Sequence, residues 1–341
     1  MAIYQKNGIH LLDHLQAMIA SGKYPPDSKL PSLRELAKEY SLSLGTVQRC
    51  IAQLEANGIV TCCHGAGIFV RPPDHTFFGS GNVRIGLHLE QNPEARGTYC
   101  SYVAKGIQDQ IAKHEVMIEM GYRYITPPEL LSSSAARNQA LLLLGSHFDR
   151  VIPRAKIKCP VVGVEMALNH DGLVSTLSLD PFRAADLAVD YFRSRKISEV
   201  LICSPDFPLQ RERAEIFRNR FQTVGRCREQ YTNDHPAFDC ENPEVGYLFT
   251  SGSSLQGHAA DYRRRTGRFF TQERTVLAID GRSYLLPGKE PADCILTDWV
   301  EVGHAALDEV VRRVRNPGTP ARRIYFDCKL KTYDFNQRRY L

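Results

Sequence analysis

No apolar run in this sequence exceeds the five residues Ala140–Leu144, far short of the ~20 that a membrane-spanning helix needs. The opening stretch, MAIYQKNGIHLLDHLQAMIASGK, mixes Lys, His and Asp into its apolar positions and holds neither a secretory core nor a small-residue cleavage pattern. A cytoplasmic protein with no membrane partner is expected. Charge of one sign is also scarce. The 43 Lys and Arg against 38 Asp and Glu leave +5 over 341 residues, which permits an anionic partner without requiring one. Residues 1–73 carry seven basic against five acidic side chains, so a nucleic-acid reading has to come from pattern. Catalytic signatures are missing too: there is no Gly-x-x-x-x-Gly-Lys-[Ser/Thr] loop, no Gly-x-Ser-x-Gly elbow and no His-Glu-x-x-His. The ten cysteines are scattered, unlike the dense set of a small secreted disulfide scaffold. Their one close group, Cys62-Cys63-His64, lacks a second Cys/His pair at zinc-finger spacing. Free thiols, with no metal and no cofactor, are expected.

What is present begins with helical spacing. Ile9, Leu12, Leu15, Met18 and Ile19 fit one helix face, and Gly22 and the Tyr24-Pro25-Pro26-Asp27 turn stop it. Ser32 with Glu35 three residues on is a capping box that opens a second helix. Ser43 caps a third, with Val47, Ile51 and Leu54 inward and Asn57-Gly58 as its end. Residues 59–63 and 68–71, joined by His64-Gly65-Ala66-Gly67, read as a β-hairpin. Three helices and a hairpin in about 70 residues make a winged helix-turn-helix. Pro72-Pro73-Asp74 and Gly79-Ser80-Gly81 then read as a linker.

Beyond residue 83 short apolar strands alternate with helical patterns, which predicts parallel, doubly wound sheets. The first set places strands at Val83–Leu89, Val116–Met120, Arg150–Ile152 and Pro160–Val164, with helices near Tyr102–Lys113 and Ala135–Leu144. The second runs from Thr176–Leu179 through strands at Val200–Cys203, Tyr247–Thr250, Val276–Ile279 and Cys294–Thr297, with helices between them. Helix Val300–Val314 and strand Ile324–Phe326 close the chain. About 260 residues suits two lobes rather than one small sheet. The expected division is 1–72 for the winged helix-turn-helix, 73–82 for the linker and 83–341 for a two-lobed domain, which the resemblances given below make the DNA-binding and the effector-binding and dimerisation parts. Within that domain, lobe 1 is about 83–177 plus 299–326, and lobe 2 about 178–297 plus 327–341.

The first 71 residues resemble a GntR-type DNA-binding domain. The likeness runs through Gly22-x-Tyr24-x-Pro26-x-x-Lys29-Leu30-Pro31-Ser32-x-Arg34-Glu35-Leu36-Ala37, Thr46-Val47, Leu54-Glu55-x-x-Gly58 and Gly65-x-Gly67-x-Phe69-Val70. It implies DNA contacts at Arg34, Ser43, Leu44, Gly45, Thr46, Gln48, His64 and Gly65. Ser43, at a helix N-terminus, suits phosphate; Thr46 and Gln48 lie where a recognition helix meets base edges. Leu44 departs from the polar residue that many members carry, so it either meets a thymine methyl or packs.

Residues 83–341 resemble the core of LacI-type repressors, itself similar to periplasmic sugar-binding proteins. The landmarks are Phe148-Asp149-Arg150-Val151-Ile152, Asp180-Pro181-x-x-Ala184-x-x-x-Ala188-x-x-x-Phe192, Arg213-x-x-x-Phe217 and Asp280-Gly281. A GntR-type head on such a core is the architecture of arabinose-repressor-like regulators. It implies a sequence-specific regulator of transcription, acting as a homodimer on double-stranded operator DNA and answering a sugar-like effector. Charged forks and carboxylates bind vicinal hydroxyls in a fixed plane, so Arg213 and Asp280 are the leading effector contacts. Tyr99 and Tyr102 either wall the cleft or sit in the core, and Trp299, the one tryptophan, either lines the cleft or packs at the hinge. Asp149, Glu165 and Ser251 are further candidates; Ser251 stands where the family often has Asn. The alternative is a GntR-type protein with a carbohydrate-active or transferase domain, for which an Asp180/Asp280 pair is conceivable.

Overall fold

The computed structural model describes residues 11–19, 23–25, 28–56, 59–63, 67–70, 76–79, 81–90, 98–122, 126–167, 172–232, 242–280, 290–337 and 339–340. In the head, α1 (11–19), α2 (Leu33–Glu39) and α3 (Leu44–Ala56) precede a hairpin of β1 (Val60–Cys63) and β2 (Gly67–Val70). The capping box at Ser32 forms in full: Glu35 N–H donates to Ser32 Oγ at 3.3 Å, and Ser32 N–H donates to Glu35 Oε2 at 2.7 Å. Leu11, Leu15, Leu36, Val47, Ile51, Leu54 and Val70 make the core beneath. The segment before α2 extends the hairpin, since Leu30 N–H donates to Ile68 O and Val70 N–H to Ser28 O.

The chain then runs β3 (Thr76–Phe78), β4 (Val83–Leu89), α4 (Tyr99–His114), β5 (Val116–Tyr122), α5 (Pro128–Arg137), β6 (Ala140–Leu144), α6 (Phe148–Val151), β7 (Val161–Val164) and β8 (Val174–Leu179). It continues through α7 (Pro181–Ser194), β9 (Glu199–Pro205), α8 (Pro208–Phe221), β10 (Arg226–Thr232), β11 (Gly246–Phe249), α9 (Gly252–Thr266), α10 (Phe270–Glu273), β12 (Val276–Ile279) and β13 (Asp293–Leu296). It ends with α11 (Trp299–Arg315), β14 (Arg323–Phe326), β15 (Lys329–Lys331), β16 (Tyr333–Asp334) and β17 (Arg339–Tyr340). Two large sheets result, ordered β14-β8-β7-β6-β4-β5-β3 and β10-β9-β11-β12-β13-β15. Every pairing in them is parallel except at the edges contributed by β3 and β15. The fold is a winged helix-turn-helix head and a two-lobed, doubly wound α/β core.

Both sheets are buried on two faces, as parallel sheets require. In the first, Leu142 and Leu144 of β6 join the core shared with α4 and α11, while Leu141 and Leu143 face the cluster of Leu131 and Phe148 from α5 and α6. In the second, Phe192 and Phe217 of α7 and α8 cover one face, and Leu255 and Ala259 of α9 the other. Helices α4 and α11 meet through glycine: a Cβ on Gly106 would lie 2.2 Å from Val300 O, and one on Gly303 2.3 Å from Val103 O. That backbone contact brings the first residues of the two helices, Tyr99 and Trp299, together with ring centroids 5.4 Å apart. Among the described residues no helix is long and apolar enough to cross a membrane.

Three crossovers join the lobes, after β8, β13 and β14. Asp180 N–H donates to Phe326 O at 2.8 Å, and Thr297 Oγ1 donates to Asp327 O at 2.7 Å, so the three strands are laced to one another. Aspartate caps the outgoing helix at two of them. Asp180 Oδ1 accepts from Phe182 and Arg183 N–H, and Asp298 Oδ1 from Val300 and Glu301 N–H.

Four sequence expectations need correction. Ala140–Leu144 is a central strand rather than a helix end, because a run buried on both faces carries no period to tell the two apart. Arg150–Ile152 lies in a helical turn, where Phe148 is the core anchor. Thr76–Phe78, within the expected linker, pairs antiparallel with β5 and closes the edge of the first sheet. β8 runs to Leu179, so the first crossover falls at Asp180. β10, with the polar sequence RCREQYT, escaped notice because an edge strand needs little apolar alternation.

Candidate functional site

On α3 the residues Leu44, Gly45, Gln48, Arg49, Ala52 and Gln53 are exposed together, while Val47, Ile51 and Leu54 are buried. This is one bare helix face over a packed one. Leu44 is 43 % exposed, so it does not pack. A Cβ on Gly45 would meet nothing within 4 Å, so no packing requirement of the free protein explains glycine there. Arg34 on α2 and Ser43 are exposed as well. Thr46 is different. It is only 7 % exposed, and its Oγ1 lies 2.8 Å from Ser43 Oγ, which also accepts from Thr46 N–H at 3.2 Å. Thr46 therefore braces the start of α3. Arg49, which sequence reasoning passed over, stands on the bare face with Nε donating to Gly45 O at 3.3 Å; its i, i+4 spacing from Gly45 was the available signal. His64 and Gly65 lie outside the described residues.

In the core, the C-terminal ends of strands from both sheets converge, the usual location for ligands in open α/β sheets. Arg213 of α8 is 2 % exposed and reaches across the lobes: its Nη2 donates to Glu165 Oε1 at 2.8 Å and Oε2 at 2.7 Å. Nη1 points to Thr250 O at 3.4 Å, and Nε is buried with no hydrogen-bond partner. Glu165 follows β7 and Asp280 follows β12, both at positive φ (58° and 61°). Non-glycine residues there carry strain, which concentrates at functional positions. Trp299 Nε1 donates to Asp280 Oδ1 at 3.0 Å, so the wholly buried tryptophan of the first lobe holds a carboxylate of the second.

Glu90, directly after β4, completes the group. Tyr99 O–H donates to Glu90 Oε1 at 2.7 Å, and His147 Nδ1 lies 3.2 Å from Oε2. Its place after the first strand was the signal that sequence reading could have used. Burial, then the charge of Glu165, pushes the Asp280 carboxyl up to about 7 against the pull of Arg213. Burial likewise raises Glu165, opposed first by Arg213, and raises the Tyr99 phenol.

The other expected residues divide. Ser251 adjoins Thr250, with its Oγ 2.8 Å from Ser253 Oγ. Asp149 is buried and accepts from Ala167 N–H at 3.1 Å, which braces the segment after Glu165. Tyr102 is half-buried against the main core. The Asp180 carboxylate is engaged as a helix cap. Two further bonds cross between the lobes: Arg323 Nη1 donates to Glu212 Oε1 at 2.8 Å, and Arg150 Nη2 donates to Asp206 O.

Residues 9–70 match the family model of bacterial regulatory proteins of the gntR family. Over 284 residues, 73 % of this chain and 78 % of the relative, the sequence is 22 % identical to an arabinose metabolism transcriptional repressor of Geobacillus stearothermophilus. The fold is shared with the transcriptional regulator CelR in complex with cellobiose, at a TM-score of 0.57 and 14 % identity, covering 88 % of this chain and 98 % of that one. It is shared also with a LacI family transcriptional regulator from Enterococcus faecium with bound ribose, at a TM-score of 0.55 and 14 % identity, covering 72 % and 96 %.

Proposed function

We propose that this chain is a cytoplasmic, sugar-responsive transcriptional repressor that binds operator DNA as a homodimer. One observation carries the reading: a head with a bare recognition face is joined to a two-lobed core whose strand ends gather a buried arginine, three carboxylates and an aromatic pair. The gntR family match over the head and the repressor named among the relatives support it. One recognition helix reads only a few base pairs, so a near-palindromic site and two chains are needed for a specific address. Arg34, Ser43, Leu44, Gly45, Gln48 and Arg49 are assigned to DNA, with His64 and Gly65 at the wing. Arg213, Glu165, Asp280, Glu90, Tyr99 and Trp299 are assigned to the effector, and Ser251 borders them. Effector that binds one lobe arrangement better than the other shifts the population between them, and so changes the spacing of the two heads.

The test is fluorescence anisotropy with labelled duplexes selected in vitro. Two chains are expected per near-palindromic site, with affinity falling steeply as salt rises through counterion release, and with a sugar or sugar derivative releasing the duplex. Gln48→Ala and Gly45→Ala are expected to weaken binding tenfold or more. Gly45→Ala should leave thermal stability unchanged or raise it, since alanine is favoured over glycine in a helix by up to about 1 kcal/mol. Unchanged titrations for both variants would remove α3 from the DNA interface, and one chain on an asymmetric site would overturn the dimer.

A further inference from the structure

Helix α3 opens on an apolar side chain that the fold does not use. Among the described residues three large apolar side chains are exposed: Leu44, Phe182 and Tyr325. Phe182 and Tyr325 rest on one another, with ring centroids 6.2 Å apart. Leu44 instead stands at the first position of α3, on the bare face that continues through Gly45, Gln48 and Arg49. Nothing crowds it there, since even a Cβ on its neighbour Gly45 would meet no atom within 4 Å. Arg49 lies along the helix, with its Nε donating to Gly45 O at 3.3 Å. Gln48 is exposed one turn on from Leu44, so the two project from the same side of the helix.

The start of a recognition helix is the part that meets base edges in the major groove. Those edges carry donors, acceptors and one apolar group, the 5-methyl of thymine. Leucine can neither donate nor accept. Set against a G·C pair it would strip water from polar groups and return no hydrogen bond, which costs free energy. Against thymine it buries a methyl. We propose, resting on the operator-binding reading, that each half-site carries a thymine whose 5-methyl seats against Leu44. Residues about one helical turn apart meet successive base pairs, so Gln48 faces the neighbouring pair. Its amide matches adenine, whose N7 accepts and whose N6 donates. Two adjacent A·T pairs are thus read by one uncharged pair of side chains. The charge balance of the head fits this reliance on base edges: seven basic against five acidic residues over 1–73 give modest sequence-independent attraction to phosphate.

The test is fluorescence anisotropy of the full chain on a duplex selected in vitro. Each thymine is replaced in turn, at symmetric positions of both half-sites, by deoxyuridine, which lacks only the 5-methyl. One symmetric pair is expected to weaken wild type about fourfold per half-site, and so about fifteenfold for the dimer, the worth of one buried methyl-sized group in each. Leu44→Ala should keep the unfolding temperature of wild type and bind the thymine and deoxyuridine duplexes equally. Its salt dependence should also match wild type, because no phosphate contact is lost. Leu44→Arg should move the preference at that pair to G·C, and Gln48→Ala should lose the preference for A·T at the next. Methyl removal without effect at every thymine, or with the same effect in wild type and Leu44→Ala, overturns the inference and leaves operator binding standing. An A·T preference retained by Leu44→Arg, or an altered salt dependence in Leu44→Ala, overturns Leu44 as the reader. A neighbouring preference unchanged in Gln48→Ala overturns the adenine assignment. Selection that enriches no duplex overturns the repressor reading and this inference with it.

Discussion

Replacing Arg213 with methionine is expected to destabilise the fold by about 3–5 kcal/mol and to abolish the response to effector. The side chain is almost wholly buried, and its partner Glu165 is 4 % exposed, so the variant leaves a carboxylate in the interior without its cation. Removing one member of such a pair costs more than the pair itself contributes, because two apolar groups of similar volume pay no desolvation. The double variant Arg213→Met, Glu165→Gln should therefore recover most of the lost thermal stability while remaining blind to sugar. Thermal unfolding of the two single variants and the double gives the coupling directly. Operator affinity, measured well below the unfolding temperature, should stay within a few-fold of wild type in the double variant. An unfolding temperature for Arg213→Met equal to wild type would mean that Glu165 sheds its charge at no cost, and would take the ion pair out of the fold's stability.

The second large effect is in pH. Asp280 has its carboxyl raised to about 7 by burial and then by Glu165, whereas an unfolded aspartate titrates near ~3.9. The folded chain thus holds a proton there that the unfolded chain has lost. Linkage sets the sign: this contribution to stability is fully present below the unfolded value and is lost as pH rises through about 7. Glu165, also raised, acts in the same direction. Asp280→Asn keeps the oxygen that accepts from Trp299 Nε1 and cannot ionise. Its unfolding temperature should fall less than that of wild type between pH 5 and 8, and should exceed it at pH 8 by several degrees, at roughly 2–4 °C per kcal/mol for domains of this size. Parallel pH curves for the two proteins would sink the argument.

The head was legible because its signals are local. Ser32 and Glu35 stand three residues apart and form the capping box that their spacing predicts. Ser43 likewise reaches only to Thr46. The orientation of Thr46 was not legible, since a position in the first helical turn does not reveal whether a hydroxyl turns outward or back to its cap. In the core, the ends of strands pointed to Asp280 and Trp299, and an early helical position to Arg213, and the structure brings the three into one region. The ion pair of Arg213 was hidden. Its partner Glu165 is 48 residues away in sequence and belongs to the other lobe, and no periodicity encodes a contact between two separately built sheets. The helix expected over Ala135–Leu144 failed for a related reason. A strand covered on both faces is apolar at every position, so the alternation that marks strands is erased by the tertiary layers around it.

The glycine contact between α4 and α11 has an optical consequence. With Gly106 and Gly303 pressed backbone to backbone, Trp299 is fixed to the first lobe, while the carboxylate that its indole N–H engages, Asp280, follows a strand of the second lobe's sheet. Any parting of the lobes must strip the indole of this hydrogen bond and admit water beside it. As the chain holds one tryptophan, the emission spectrum of the unlabelled protein carries this event alone among its indoles. A red shift should mark the open arrangement, and a return to the blue should mark closure on ligand. The chain therefore contains its own fluorophore for lobe motion, usable on the protein while it is bound to DNA, with no label to perturb either end.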